Sequence, residues 1–179
     1  MFEAEKAAYH NALVRLRKSI LVTTRFTAAR ICYLHKVFLG RIYPWAGRYR
    51  NVGLESVNGP PWPPPGEIPR LMAEYQRRVL RHLTPGRPMP RADLARNLAI
   101  IHGDLALIHP FRDGNGRTAR LLVDLVAAQA GEPTLNWAAS VKDNRRYYAA
   151  IGRVFDRDFG PLTELTLKAI EDAMPDADS

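Results

Sequence analysis

Apolar residues recur at helical spacing along most of the chain. Ala8, Ala12, Leu16 and Ile20 lie four apart and predict a helix over about 2–20. A second helix fits Thr27 to Phe38, with Thr27 as N-cap and Gly40 as terminator. Leu71, Tyr75, Val79 and Leu83 mark one face of a third, over Ile68 to Leu83. From Arg91 to Ile108 the apolar positions Leu94, Leu98, Ile101, Leu105 and Ile108 alternate spacings of four and three, the stripe of a helix buried against other helices. A further helix begins after Asn115 and runs through Leu121, Leu122, Leu125 and Val126 to a stop at Gly131; its unbroken apolar run places it at the centre of the core. Two last helices fit Asp143 to Val154 and Pro161 to Ala173, ahead of a polar tail over 174–179. The reading is mostly α, one domain over 1–179, with no internal repeat.

One stretch breaks this pattern. Tyr43-Pro44-Trp45-Ala46-Gly47 leads into a short extended run from Arg48 to Val57. Gly59-Pro60-Pro61-Trp62-Pro63-Pro64-Pro65-Gly66 follows, and its prolines exclude regular helix and central strand. On composition it suits either a polyproline ligand for another domain or a stiff loop closing a hairpin; the loop is the plainer reading. Pro85 to Pro90 is a second proline-rich connector.

Composition narrows the classes. The 179 residues carry 26 Lys and Arg against 18 Asp and Glu, a net charge of +8. The basic residues are scattered (Arg15, Arg17, Arg48, Arg50, Arg77, Arg78, Arg145, Arg146). With no zinc-finger spacing and no RNA-binding aromatic signature, an anion pocket on a basic surface fits better than specific nucleic-acid binding. No apolar run approaches the roughly 18 residues of a membrane span. Met1 to Lys6 lacks the features of a secretory signal, and Cys32, the one cysteine, permits no intrachain disulfide. A cytoplasmic setting is the default expectation, compatible with delivery into another cell.

The chemistry concentrates between His109 and Arg120, in His109-Pro110-Phe111-Arg112-Asp113-Gly114-Asn115-Gly116-Arg117-Thr118-Ala119-Arg120. Asp113 to Gly116 precede a strongly helical segment, so their backbone N–H groups lie at a helix N-terminus, where dipole and unsatisfied donors favour anions. The two glycines permit close approach and positive φ. Arg117 and Arg120, one turn inside, can fork onto phosphate oxygens. Asp113 is the one carboxylate of the loop and suits Mg²⁺ beside a polyphosphate. His109, with an ordinary pKa of about 6.5, is mostly neutral near pH 7 and can take a proton from a hydroxyl. Pro110 and Phe111 read as structural, Arg112 as solvent-facing, and His102 as a core residue supporting the site. The segment lacks the Gly-Lys-Ser/Thr of ordinary phosphate loops and the elements of protein kinases.

This twelve-residue segment resembles, without a mismatch, the Fic family signature His-Pro-Phe-x-(Asp/Glu)-Gly-Asn-Gly-Arg-x-x-Arg. The resemblance extends over about 25–170, strongest there and at Tyr43 to Arg50. It implies a Fic-type helical bundle with a short β-hairpin flap over the active site, at about 49–62. It implies AMP transfer from Mg-ATP to a hydroxyl of a target protein, with pyrophosphate released. By position, His109 is the general base, Asp113 the Mg²⁺ ligand, and Asn115 with Gly114 and Gly116 the holders of the α- and β-phosphates. Arg117 assists, and Arg120 takes the γ-phosphate. Tyr147-Tyr148 would bring a tyrosine near the adenine, and the flap residues Arg50, Asn51, Val52, Gly53, Leu54 and Glu55 would align an extended target segment.

One family feature is missing. Many Fic proteins carry an inhibitory helix with Ser/Thr-x-x-x-Glu-Gly/Asn, and no glutamate here is followed by Gly or Asn. Inhibition then comes from a small antitoxin-like partner in trans, from residues outside this sequence, or is absent. Two other readings stay open: the same fold moving another phosphate-linked group or acting as a kinase, and an inactive binding module working through the proline-rich segment.

Overall fold

The computed structural model describes residues 3–55, 61–138 and 144–173. Its helices are α1 (Glu3–Ser19), α2 (Ala28–Leu39), α3 (Ile68–Tyr75), α4 (Arg81–Leu83), α5 (Arg91–Ile108), α6 (Asn115–Gln129), α7 (Asn144–Val154) and α8 (Gly160–Glu171). Expected and observed helices coincide to within a residue or two over most of the chain. Thr27 caps α2 as its sequence suggests, its hydroxyl accepting from the Arg30 N–H at 3.1 Å. The helix expected from Ile68 to Leu83 is instead interrupted by a π-helical turn, Gln76–Leu80. Gln76, at the start of that turn, accepts the Ala28 N–H at 2.8 Å and so ties the turn to the head of α2.

The core forms around α6, in which every residue from Leu121 to Ala127 is buried. Leu16 from α1, Ile31, Leu34 and Phe38 from α2, Met72 from α3 and Leu98 and Ile101 from α5 fill the same cluster. A second cluster joins Ala99 and Ala106 of α5 to Ile151 and Val154 of α7 and Leu162 and Leu165 of α8. Among the buried polar side chains of α6, Asp124 and Gln129 find several partners inside. Asp124 accepts from Tyr9 Oη (2.9 Å), the Leu135 N–H (3.2 Å) and Trp137 Nε1 (3.4 Å), and burial pushes its carboxyl up to about 6. Gln129 donates to the Leu21 and Thr24 carbonyls and accepts the Gly86 N–H, lashing the α1–α2 loop to the second proline-rich connector.

The expected hairpin flap is not confirmed: there is no strand among the described residues. The backbone after Arg48 is irregular because its polar groups are engaged elsewhere. The Arg50 N–H donates to the Pro110 carbonyl at 2.8 Å, and the Val52 carbonyl accepts from the Arg50 side chain at 3.0 Å. Residues 56–60, the start of the last α7 prediction at Asp143, and the polar tail lie outside the described residues. No helix among the described residues is long and apolar enough to cross a membrane.

Candidate active site

Pro110 cannot continue α5, since it has no N–H and its ring excludes helical geometry before it. His109 therefore caps α5 in the left-handed region, φ 50° and ψ 56°, with its N–H on the Leu105 carbonyl. Phe111 is fully buried and pins the next residues. Asn115 closes the loop: its Oδ1 accepts the Phe111 N–H and its Nδ2 donates to the Phe111 carbonyl, both at 2.8 Å. The expectation that this side chain reaches phosphate is therefore modified. Its amide oxygen and one N–H hold the loop, and the residue borders the cavity. Gly114 is required twice over. Its φ is +76°, and a Cβ there would meet Leu39 Cδ1 at 2.7 Å.

His35, which the sequence did not single out, holds the loop from behind. It is buried and stacks on Phe111, centroids 3.8 Å apart. Its Nδ1 accepts the Gly47 N–H at 2.8 Å, so Nε2 carries the proton and donates to the Asp113 carbonyl at 3.0 Å. Burial pushes its pKa down to about 4, keeping it neutral in this two-sided role. Gly47, at φ +83°, is the turn that presents the N–H. The Tyr43–Gly47 segment is thus a brace for the loop.

These elements enclose a cavity of about 580 Å³ lined by His109, Asp113 to Arg117, Arg120, Tyr147 and Tyr148, with Glu5, Trp62, Ala106 and Ile151. No side chain caps the N-terminus of α6, which opens into it. The first-turn N–H groups there have no intrahelical partner and face the cavity as an anion site. His109 Nδ1 lies 3.2 Å from the Ala106 carbonyl. A carbonyl only accepts, so Nδ1 bears the proton and Nε2 is left able to accept one. Burial pushes the His109 pKa down to about 4, opposed by the Ala106 hydrogen bond, aided by Arg50 and opposed again by Asp113. The ring is therefore more completely neutral at pH 7 than its ordinary value implies.

The two motif arginines part company. Arg117 Nη1 lies 3.0 Å from Glu5 Oε2 and its Nη2 3.2 Å from Asp113 Oδ1, with its guanidinium over the Phe38 ring at 5.4 Å. Glu5, buried on α1, also accepts from Tyr43 Oη at 3.2 Å. Arg117 is thus a bridge between α1 and the loop. Arg120 has no carboxylate partner among the described residues and lies over the Tyr147 ring at 5.5 Å. It is the open cation of the cavity.

Asp113 is exposed at the rim; its Oδ1 accepts from the Gly114 N–H and from Arg117, leaving Oδ2 outward. Tyr147 is buried, its hydroxyl 2.8 Å from Nε2 of the buried His102. Burial and Arg120 push His102 down to about 3, so it supports Tyr147 as a neutral ring. Tyr148 stands at the open end, 68% exposed. Of the flap residues, Asn51, Val52, Gly53 and Glu55 are exposed and Leu54 half-buried. Arg50 departs from its expected docking role. It is buried, and its fork donates to the His109 (2.8 Å), Val52 (3.0 Å) and Pro63 (2.6 Å) carbonyls.

The sequence profile of the Fic/DOC family matches residues 25–127, from the head of α2 to near the end of α6. The chain belongs to the Fic/DOC family. Among curated relatives, the protein adenylyltransferase Fic of Drosophila erecta is 28% identical over 161 residues, covering 89% of this chain and 31% of that protein. The Drosophila melanogaster protein of the same name is 29% identical over the same length. This Fic/DOC chain thus spans about a third of the curated relatives it matches. The solved structure of Fic-1 from C. elegans is 26% identical, with a TM-score of 0.72 over 92% of this chain and 47% of that one. BepC of Bartonella tribocorum, solved with bound AMPPNP, shares the fold at 19% identity, with a TM-score of 0.78 over 93% of this chain and 84% of that one.

Proposed function

We propose that this Fic/DOC chain is a protein adenylyltransferase that moves AMP from ATP to a side-chain hydroxyl of a target protein. The observation that carries the reading is the cavity itself. A neutral histidine with a free Nε2 faces an uncapped helix N-terminus and an arginine without a carboxylate partner among the described residues. The names of the curated relatives support it, as do related folds solved with AMPPNP and with ADP.

The triphosphate lies along the N-terminus of α6, on the backbone of Gly114 and Gly116 and the remaining Asn115 N–H. Arg120 holds the γ-phosphate, and Arg117 lends part of its charge to the others. Tyr147 and Tyr148 border the adenine end. His109 Nε2 takes the proton of the target hydroxyl as its oxygen attacks the α-phosphorus in line; the bond to the β-phosphate oxygen breaks and pyrophosphate leaves. Orientation and charge stabilisation do most of the work, because no covalent enzyme intermediate forms. Asp113 Oδ2 fits Mg²⁺, an ion content with one protein carboxylate beside phosphates and waters. Bound there, Mg²⁺ would neutralise charge on the phosphates. In this reading the mostly exposed Asn51 to Glu55 segment would align the target. Because Arg120 has no carboxylate partner among the described residues, any inhibition by occupation of the γ-phosphate site comes from a small antitoxin-like partner in trans or from residues outside this sequence. Harmless, robust activity in cells making this chain alone would count against that partner.

The test is auto-modification with ATP labelled at the α- or the γ-phosphate, on wild type and His109→Ala. Label from the α-position, lost in the variant, is expected. Label from the γ-position alone would make the chain a kinase and overturn the proposal.

A further inference from the structure

The proline-rich segment is the sequence feature that the reaction leaves unused, and its single aromatic ring lies against the base. Trp62 stacks on the His109 imidazole, ring centroids 3.9 Å apart and planes within 20°. Its other ring neighbour is Phe155, just past α7, at 6.3 Å. Prolines bring no donors of their own to hold such a segment in place. The anchor is Arg50, 2% exposed. One edge of its guanidinium holds the carbonyl of Pro63, next to Trp62, and Nε holds the carbonyl of His109. A single buried side chain thus fixes the backbone of the base and the backbone that carries the ring covering it. The charged fork suits this bridge, since hydrogen bonds from a cation are about twice as strong as neutral ones.

We propose that Trp62, seated by Arg50, is a positioning residue: it holds the His109 ring plane so that Nε2 faces the cavity, and it walls the side from which the acceptor hydroxyl enters. Without the stack, the imidazole keeps one restraint, the 3.2 Å contact of Nδ1 with the Ala106 carbonyl. One long hydrogen bond leaves the ring free to rock about its terminal torsion, which is intrinsically broad. A flat indole removes that freedom and excludes water from one face. The charged groups that act on the ring are Arg50, from the segment after α2, and Asp113, from the motif loop. Trp62 and Phe155 add no charge, and α5 contributes the Ala106 carbonyl. Burial under the indole therefore works with Arg50 to keep the base neutral. The polyproline-ligand reading of the segment also weakens, since the aromatic face it would offer a partner is turned onto His109.

The reaction named above is assumed only for the kinetic part of the test. The direct part is NMR titration of the His109 ring nitrogens from about pH 8 downward, assigned with His109→Ala, in wild type, Trp62→Phe and Trp62→Ala. Trp62 is only partly buried, so both variants are expected to fold, and a melting curve checks this. Trp62→Ala should raise the His109 midpoint by on the order of one pH unit and mix its tautomers, while Trp62→Phe stays near wild type. AMP transfer by Trp62→Ala should fall on the order of tenfold in kcat with KM for ATP unchanged, and Trp62→Phe should restore most of it. An unchanged His109 midpoint and tautomer in Trp62→Ala would overturn the inference, as would a loss that lies in KM for ATP. The ring titration needs no turnover, so wild type without AMP transfer would count against the reaction while the titration still decides the role of Trp62.

Discussion

The two walls of the cavity are built in different ways. The motif wall, His109 to Arg120, is one continuous stretch held at close range: Asn115 on the Phe111 backbone, His35 on the Asp113 carbonyl, and Gly114 in a conformation that other residues resist. The cover wall, residues 50–55 and 61–64, has no strand or helix among the described residues and is anchored by the Arg50 N–H on the Pro110 carbonyl, the buried Arg50 guanidinium and the stack of Trp62 on His109. The first wall suits a ligand whose shape never changes, a nucleotide. The second, free of regular secondary structure among the described residues, suits the side where the proposed target would enter, with Arg50 anchoring it to the His109 backbone.

The largest effect belongs to the proposed base, His109, on the motif wall. His109→Ala should lower single-turnover AMP transfer by about 10² to 10⁴ with ATP affinity little changed. A residual rate within tenfold of wild type would move the proton acceptor elsewhere. Next is Arg117→Ala, which leaves the buried Glu5 carboxylate without its cation. Denaturant unfolding should show a loss of about 3 kcal/mol, and Glu5→Gln with Arg117→Ala should recover part of it. If Arg117→Ala instead weakens ATP binding with no change in stability, Arg117 is a phosphate ligand and not a bridge. Gly114→Ala should follow, at about 1–2 kcal/mol for the left-handed backbone alone, with more from the contact at Leu39. An unchanged unfolding midpoint would show that the loop is looser than drawn.

The smallest effect is with pH. His35, His102 and His109 are held neutral, with pKa values pushed down by burial to about 4, 3 and 4. Between those values and the ordinary 6.5, the unfolded chain binds protons that the fold does not. Their contribution is therefore full above about pH 6.5 and is lost as the pH falls below it. Asp124, raised to about 6, has the opposite sign: it favours the fold at low pH and loses that as the pH rises through its window. Asp104, also raised by burial, shares that sign, but three histidines outweigh two carboxylates, so Tm should fall on acidification from pH 7 to pH 5. His35→Gln should flatten the slope; a Tm that rises on acidification would contradict the buried neutral rings.

The motif wall was legible because its signal is contiguous: a histidine before proline, Gly-Asn-Gly, and arginines one turn inside a helix whose apolar run announces its burial. The helices were legible for the same reason, since periodicity is local. What the sequence hid depends on distant contacts. His35 looks like any polar residue of α2 until the fold brings Gly47 and Asp113 to its two nitrogens. Glu5 sits in a helix of weak pattern, and nothing nearby foretells Arg117. Arg50 follows a family-like segment that implies a target-facing role, whereas burial turns it inward. The π turn at Gln76 left no trace in an apolar spacing that stays regular across it. Trp62 was visible as an aromatic among prolines, but its partner was not.

The division of labour between the walls is tested most directly by calorimetric titration of Mg-ATP into wild type, Arg120→Ala and Trp62→Ala. The account predicts that Arg120→Ala weakens ATP binding by on the order of tenfold or more, because the open cation of the motif wall is lost. It predicts that Trp62→Ala binds ATP within about twofold of wild type, because the cover wall serves the base and the acceptor. ATP affinity that survives Arg120→Ala and collapses in Trp62→Ala would contradict it.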